Sequence, residues 1–404
     1  MMRSKVVSVV FSLVVILSAF VHGDKHTEFR ILEENGIPVA MNPDHPVPLP
    51  DSPKDIVFTE EFQIGSLEGD PNYIFGEFIS FAVDDDGNVY VLDWRGKTVR
   101  KFDQSGKFLL LFGGVGQGPG EFSDPQEIRY LPSGHVMIFE GESQRYSCFT
   151  KEGKVVRTAR FHKLMFPPYF GLTNGNLIAM NVQRDPEQTV YVMGLFDEKS
   201  DLIKPLHQIE RKSDPPWPRG NDPDSRAKRY AETFSRVAFR QESVLALDEQ
   251  ENIYFAFTDK YEIKILDRNG EQKKIIRSEL PFLLVEKKDR QAFLEYHLPR
   301  DISTWGTMDE ALKNKIKSLI KFPEKKAAFL SLIPMDNKYL MVVRDGSYGQ
   351  NALIDIFDPS GGLIIEKKLS FAIKGGICKD HRFYTIHEDE DGNQFIKCFS
   401  YKLL

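Results

Sequence analysis

Residues 79–122 read ISFAVDDDGNVYVLDWRGKTVRKFDQSGKFLLLFGGVGQGPGEF, and degenerate copies of this stretch recur along the chain. Polar turns separate four short, mostly apolar segments, which are residues 79–83, 89–92, 98–102 and 108–112. The turns contain Gly, which accepts positive φ, and Asp or Asn, whose side chains bond nearby backbone groups. The stretch therefore predicts a sheet of four antiparallel strands.

The copies align with the first unit at both of its turns. Their paired segments are residues 131–138 and 148–155, 172–178 and 195–200, 247–254 and 265–270, 333–340 and 356–361, and 378–383 and 394–399. The chain thus contains roughly six units of about 40 residues, the size of a four-stranded propeller blade. Because blades cannot bury their apolar faces alone, we predict an all-β, six-bladed β-propeller.

Three segments of the first unit carry a resemblance to a known family. They are DDGNVYV at 85–91, VRKFD at 99–103 and FGGVGQGPGEF at 112–122. They resemble the NHL repeat, and the fourth unit departs from it with Glu251 where Gly is expected. The resemblance covers residues 55–404 and implies a secreted bacterial six-bladed propeller of the NHL-repeat or TolB-like type.

The N-terminus has the pattern of a secretory signal peptide. Arg3 and Lys5 precede an apolar run over residues 6–20, and small residues follow up to Gly23. The run is shorter than the ~20 residues that span a membrane, although retention as an anchor is the alternative. We therefore predict a signal peptide over residues 1–23, a mature chain starting near Asp24, and a periplasmic or extracellular location.

Composition narrows the class of partner. The formal charge is −6, and loss of Arg3 and Lys5 would make it −8. Because nucleic-acid binding needs a basic surface, we expect no nucleic-acid partner. Three cysteines are too few for a disulfide scaffold. Cys378 and Cys398 fall on predicted strands two apart, about 10 Å from each other, which exceeds disulfide reach. We expect buried free thiols.

Both ends of the chain have predicted positions on the ring. The last unit contains only three strands, so residues 56–65 are predicted as its outer strand, which closes the ring and removes a sheet edge. Residues 29–50 contain a hairpin-like piece with its turn at 36–38. We predict that residues 24–54 form an N-terminal extension on the outside of the ring.

Two insertions interrupt the repeat, at about residues 213–239 and 280–326. The first is rich in Pro and Asp and then basic, and the second is predicted to be helical. The first helix of this second insertion is expected at 285–297, and the next one from Thr307. That helix would begin with a capping box to Glu310 and carry an apolar stripe of Leu312, Ile316 and Leu319. Both insertions join the fourth strand of one blade to the first strand of the next, so both are expected on one face.

Motifs for chemistry are scarce. The Gly-rich run at 113–120 lacks the Lys-Ser/Thr of a phosphate loop and is predicted to be a linker between blades. His387 lies in an acidic loop at 388–391 that favours a hairpin turn over a calcium site. No metal-ligand spacing and no nucleophile elbow occurs, so we assign no catalytic residue, metal ligand or cofactor.

The remaining site candidates are polar and aromatic residues on loops of the decorated face. They are Trp94, Arg95, Glu142, Arg145, Arg184, Asp185, Lys260, Tyr261, Arg344, Asp345 and Tyr348. An Arg on each of four blades could converge on an anionic ligand, although each is also an ordinary surface residue type. Trp217 and Trp305 lie within the insertions and suit either a contact surface or internal packing.

Two functions remain open. The first is an exported binding or protein-interaction module, with a protein, small molecule or glycan held on the loop-decorated face. The alternative is a metal-dependent hydrolase or lyase with its site in the channel, because propellers of this type include lactonases and amidating lyases. A calcium lactonase would need converging acidic and amide ligands, for which Asn72, Glu127 and Glu242 are the candidates.

Overall fold

The computed structural model describes residues 28–76, 79–141, 143–160, 170–184, 187–212, 220, 222–298, 308–389 and 391–404. Its described part contains 26 strands and three α-helices. Three strands precede the repeat: β1 (Arg30–Glu34), β2 (Ile37–Asn42) and β3 (Ile56–Ile64). None of the described helices is long and apolar enough to cross a membrane.

The first three blades are four-stranded antiparallel sheets. The first contains β4 (Ile79–Val83), β5 (Val89–Asp93), β6 (Thr98–Phe102) and β7 (Phe108–Gly113). The second contains β8 (Pro125–Tyr130), β9 (Val136–Glu140), β10 (Arg145–Phe149) and β11 (Val155–Arg160). The third contains β12 (Phe170–Gly171), β13 (Leu177–Arg184), β14 (Gln188–Phe196) and β15 (Leu202–Lys212).

The other three blades complete the ring and include the strands that precede the repeat. The fourth contains β16 (Ser243–Leu247), β17 (Ile253–Phe257), β18 (Glu262–Leu266) and β19 (Gln272–Ser278), with β2 and β1 added outside β19. The fifth contains β20 (Ser331–Pro334), β21 (Leu340–Asp345), β22 (Leu353–Phe357) and β23 (Leu363–Lys368). The sixth contains β24 (Lys374–Lys379), β25 (Arg382–Glu388), β26 (Gln394–Leu403) and β3. The predicted all-β six-bladed propeller is confirmed.

The core lies in the seams between neighbouring sheets. Tyr90 and Phe112 of the first blade pack with Ile128 and Ile138 of the second, for example. Each large apolar side chain that is fully buried in such a seam stabilises the fold by about 1.5–3 kcal/mol. The seams explain why the second strands are apolar at nearly every position, since both faces of each sheet are covered.

Aspartates hold the hairpin turns. The Asp84 carboxylate accepts bonds from the N–H of Asp86 and of Asn88, both 2.9 Å, and from the Tyr90 hydroxyl at 3.0 Å. Burial would raise the pKa of Asp84, but the bonds from Asn88 and Tyr90 outweigh it and hold the pKa below its usual value. Glu251 takes the Gly position of the fourth unit at φ 61°, and its carboxylate binds Thr173 of the third blade.

The ends of the chain close the ring, as predicted. Strand β3 pairs antiparallel with β26 from Ile56 opposite Leu403 to Ile64 opposite Ile396. Ile56 and Ile64 are fully buried. The last residue, Leu404, exchanges backbone hydrogen bonds with Asp55.

The N-terminal hairpin lies outside the fourth blade. Its turn is formed by Asn35 and Gly36, at φ 52° and 79°, rather than by residues 36–38 as predicted. Strand β2 pairs in parallel with β19. Asn42 at its end is fully buried and binds backbone atoms of Arg277, Gly361 and Leu363, so the extension fastens the fourth blade to the fifth.

The helices differ from the expectation in three ways. The first insertion contains an unpredicted helix, α1 (Pro223–Val237), while the second contains α2 (Lys287–His297) and α3 (Glu310–Leu319). The capping box predicted from Thr307 to Glu310 is wrong, because Asp309 is the N-cap and accepts from the Leu312 N–H. Leu319 is exposed and Ile320 continues the buried stripe instead, since the buried face follows intervals of four residues from Leu312 through Ile316.

Candidate functional site: the mouth of the ring and its helical cap

Carboxylates end the second strands of four blades, on the face that carries the links between blades. We call this face the mouth. In the first blade Asp93 accepts the N–H of Gly76 at 3.2 Å, and in the second Glu140 accepts that of Ser123 at 2.6 Å. These two carboxylates thus hold the chain as it enters each blade.

In the fifth blade the corresponding carboxylate, Asp345, binds a lysine. Lys326 Nζ lies 2.7 Å from Asp345 Oδ2 and 2.9 Å from Asp289 Oδ1, and its side chain is buried. Burial would raise the pKa of Asp289, but the hydrogen bonds from Lys326 and the Glu286 N–H, together with the Lys326 charge, outweigh it and keep the pKa below its usual value. This ion triad fastens α2, which contains Asp289, to the rim of the fifth blade.

In the sixth blade a second lysine occupies the same place. Lys374 Nζ lies 2.7 Å from Glu388 Oε2 and 3.4 Å from the hydroxyl of Tyr296 on α2. The side-chain amide of Gln394 donates to the same Glu388 oxygen at 3.1 Å. We call Tyr296, Lys374, Glu388 and Gln394 the mouth cluster. Its lysine side chain is 42% exposed at the edge of the helices.

The two insertions fold into one unit above the mouth, which we call the helical cap (residues 222–240, 283–298 and 308–326). Its shared core contains Phe234 of α1, Phe293 of α2 and Ile316 of α3. The second insertion enters and leaves through a short stem, where Leu284 pairs with Lys325. The predicted placement of both insertions on one face is confirmed by this common core.

The loop between the second and third strands of the fifth blade reaches into the cap. Its Tyr348 packs against Phe293 and Tyr296, with ring centroids 5.2 and 5.6 Å apart. Burial raises the pKa of Tyr348 to about 12, so its hydroxyl stays protonated. The cap is therefore seated on the fifth and sixth blades by packing, by the Lys326 triad and by the mouth cluster.

Three of the predicted site residues lie buried in seams instead of exposed on loops. Arg145 binds Glu140 and donates to the carbonyl oxygens of Gln117 and Glu121, both at 2.7 Å. These bonds hold the Gly-rich linker at 113–120, which joins the first two blades as predicted. The guanidinium of Arg145 is thereby committed to the scaffold.

Tyr261 and Arg344 meet, but inside the seam between the fourth and fifth blades. The Tyr261 hydroxyl donates to Asp355 Oδ2 at 2.6 Å, and Arg344 Nε lies 3.5 Å from the same oxygen. Arg344 also donates to Glu366 at 2.5 Å and to the Pro281 carbonyl at 3.0 Å. The expected convergence of arginines on an anionic ligand is not seen for Arg145 or Arg344, because protein groups already bind both.

The other predicted residues fall into three groups. Trp94, Arg95 and Lys260 are exposed, and Lys260 pairs with Glu262 at 2.9 Å. The backbone of Arg184 ends β13, whereas its side chain lies outside the described part of the structure, as do Glu142, Asp185, Trp217 and Trp305. Asp345 and Tyr348 are the predicted residues that contact the cap.

The sequence reasoning missed the mouth cluster. Glu388 was considered only as part of an acidic loop, although it ends a second strand just as Asp345 does. That equivalence within the repeat was the available signal. The acidic loop itself is a hairpin turn, as predicted, with Asp389 accepting from the N–H of Asn393 at 2.8 Å.

The channel candidates do not assemble into a metal site. Glu127 binds Ser80 at 2.7 Å and Arg129 at 2.5 Å, Asn72 binds Asp70, and Glu242 binds Arg240. Among the described residues, no group of three or more His, Cys, Asp or Glu side chains could hold a metal ion. Calcium binding stays a prediction. The three cysteines are free, as predicted, but only Cys398 is buried, while Cys148 and Cys378 are partly exposed.

No protein-family model and no curated protein matches the chain. Among solved structures, a DUF4221 family member from Bacteroides vulgatus is 9% identical, with 87% of this chain and 99% of that chain covered and a TM-score of 0.48. A protein from Bacteroides fragilis, whose provisional name is that of an exported protein, is 12% identical. The match covers 88% of this chain and 97% of that chain, with a TM-score of 0.49. The virginiamycin B lyase of Staphylococcus aureus is 10% identical, with 85% and 99% covered and a TM-score of 0.41. All three TM-scores lie below 0.5, and the NHL and TolB-like resemblance stays a prediction.

Proposed function

We propose that this protein is an exported binding module that holds its ligand or partner at the mouth cluster, beside the helical cap. The observation that carries the proposal is the cap itself. Two insertions from separate blade junctions build one core over one face, whereas the ring is already closed on its own by β3. Elaboration of a single face of a closed scaffold is typical of a binding site.

The chemistry of the mouth cluster suits a polar ligand. It combines a partly exposed lysine with a phenol and a carboxylate that it bonds, while the buried Gln394 amide donates to the same carboxylate. Sites that fix the orientation of small molecules use such a small number of convergent polar groups beside aromatic side chains. Hydroxyl and carboxylate groups, as on a sugar or an acidic glycan, are the complementary ligand chemistry.

Export and the NHL or TolB-like class form part of the same proposal. The signal-peptide pattern over residues 1–23 supports export, although these residues lie outside the described part. The alternative, a metal-dependent hydrolase or lyase in the channel, remains a separate prediction. A calcium arm in the following experiment tests it.

A thermal-shift screen tests the binding site. The probes are monosaccharides, acidic oligosaccharides and Ca²⁺, added to the protein and to Lys374→Met, Tyr296→Phe and Lys273→Met variants. A ligand at 100 times its Kd stabilises the folded state by about 2.7 kcal/mol. We expect a saccharide to raise Tm in the wild type, with the shift lost in the first two variants. Lys273→Met is the matched control. Lys273 is also an exposed lysine, 2.9 Å from Asp267, but it lies beside the turn between the third and fourth strands of its blade, on the face opposite the mouth.

The outcomes separate the two functions. A saccharide shift that survives both Lys374→Met and Tyr296→Phe would place the ligand elsewhere and contradict the proposal. A shift caused by Ca²⁺ alone, equal in all four proteins, would instead support the metal-dependent alternative. No shift with any probe would also count against binding of saccharides at this site.

A further inference from the structure

Among the described strands, β1 has no partner on its outer side and is an open sheet edge. It belongs to a six-stranded sheet with the order β1-β2-β19-β18-β17-β16, while the other five sheets have four strands. At about 4.8 Å between strands, β1 lies roughly 10 Å farther out than the outer strands of those sheets. All five of its residues are exposed, including Ile31 at 55% and Leu32 at 42%. An exposed edge with apolar side chains is a template for another strand.

The register of the hairpin shows which backbone groups of β1 face outward. Glu33 lies opposite Pro38, which has no N–H, so this is a non-hydrogen-bonded pair. Alternation along the strand then directs the N–H and C=O groups of Ile31 and Glu33 away from β2. Those of Leu32 point towards Val39 of β2.

An antiparallel copy of β1, related by a two-fold axis at Leu32, matches these groups. In that register Ile31 faces Glu33 of the second copy, and the two residues exchange both of their outward hydrogen bonds. Leu32 faces its own counterpart as a non-hydrogen-bonded pair with Cα atoms about 4.5 Å apart. Arg30 faces Glu34 of the second copy, so opposite charges meet at both ends of the pair.

Neighbouring registers lose this complementarity. A two-fold axis at Glu33 would put two carboxylates opposite each other, and an axis at Ile31 would put Arg30 opposite Leu32. Glu34 is also preorganised, because Arg277 holds its two oxygens at 2.5 and 2.9 Å. Arg30 of a second copy would extend this ion pair.

We propose that the protein forms a two-fold dimer in solution through β1, which joins two six-stranded sheets into one sheet of twelve strands. The occupant of the edge is a second copy of this chain, because the same five residues supply both the hydrogen-bonding groups and the charges that they need. This is an isologous interface, in which one surface is complementary to itself. It is independent of ligand binding at the mouth.

Sedimentation equilibrium of the full chain over a concentration series tests the dimer. We expect the mass to rise from 46.4 kDa towards twice that value. Ile31→Pro removes one outward N–H and none that bonds β2, so this variant should remain monomeric with the wild-type Tm. A mass that stays monomeric in the wild type throughout the series, or a dimer that persists in a folded Ile31→Pro variant, would overturn the proposal.

Cysteine cross-linking tests the register without reliance on a proline variant. Leu32→Cys should form a disulfide-linked dimer on mild oxidation, because its Cα separation from the second copy falls within disulfide reach. Leu109→Cys is the matched control, since Leu109 is a similarly exposed leucine, at 47%, on the outer strand of the first blade. Equal cross-linking of the two variants, or none from Leu32→Cys, would overturn the two-fold axis at Leu32. Wild-type protein oxidised in parallel measures any cross-linking through the three native cysteines.

Discussion

Single residues in the seams have roles that their sequence positions do not reveal. Tyr261 and Asp355 are 94 residues apart, and each follows the pattern of its own blade. Their contact arises because corresponding strands of adjacent blades face each other, which no local pattern encodes. The sequence therefore predicted the right residue types at blade edges but placed Tyr261 and Arg344 on an exposed loop instead of in a buried polar group.

The buried carboxyl of Asp355 should make stability depend on pH. Burial raises its pKa to about 7, well above the ~3.9 of an unfolded chain. The folded state therefore binds more protons between these values, and its stability falls as pH rises from about 4 through 7. Asp355→Asn can still accept from Tyr261 but cannot ionise. Between pH 5 and pH 8 we expect urea unfolding to show the wild type losing about 2–3 kcal/mol more than this variant.

Asp84→Asn provides the control for this pH effect. The pKa of Asp84 is held below its usual value, so its carboxylate is ionised in folded and unfolded chains alike above pH 5. This variant should lose stability equally at both pH values. Parallel pH profiles for the wild type and Asp355→Asn would show that Asp355 is ionised in the folded protein.

At the scale of elements, α1 carried a readable signal that the sequence reasoning did not use. Asp222 precedes Pro223, and Asp at the N-cap followed by Pro at the first helical position is a strong start signal. The buried side chains Ala227, Tyr230, Ala231 and Phe234 have helical spacing. What the sequence could not show is that this face packs on helices from another insertion.

The shared core changes the expected effect of deleting the second insertion. Leu280 packs in the ring core and Lys326 binds Asp345 of the fifth blade, so the deletion should spare both and cover residues 285–324, between the paired stem residues. This deletion alone would expose the apolar face of α1. Each large side chain that becomes exposed would lower the free energy of unfolding by about 1.5–3 kcal/mol. We expect a lower Tm and aggregation by size-exclusion chromatography.

A second deletion distinguishes the cap from the ring. Removal of residues 222–239 together with residues 285–324 takes away both sides of the cap core. Since loop length changes closure entropy only slowly, the double deletion should recover a soluble, folded propeller. A single deletion that melts like the wild type would contradict a shared core.

At the scale of the whole molecule, the sequence predicted the architecture well. Blade number, turn positions and ring closure all followed from one repeat, because hairpin turns are set by local Asp and Gly residues. The site could not be predicted equally well. The mouth cluster combines Tyr296 of an inserted helix with Lys374 and Glu388 of the last blade, and only the three-dimensional path of the insertion brings them together.

Ring closure should be necessary for global stability. Deletion of residues 55–65 removes Ile56 and Ile64 from the core and Phe58 from contacts with Phe371 and Phe383. We expect one cooperative unfolding transition with a markedly lower Tm, and aggregation through the open edge of β26. A synthetic peptide of residues 54–65 should restore Tm when added in trans, whereas a scrambled peptide should not. An unchanged Tm after the deletion would refute the role of this strand.

The pairing of β3 with β26 also sets an order of events during synthesis. Lys397 and Glu60, which bind across this pair at 2.9 Å, are 337 residues apart along the chain. At about 5–20 residues per second, a ribosome that has made the first partner needs roughly 20–70 s to make the second. Throughout that interval the nascent chain can stack blades but cannot seal them. Every prematurely terminated chain that lacks β26 leaves β3 without its partner, so each incomplete copy keeps an unsealed ring.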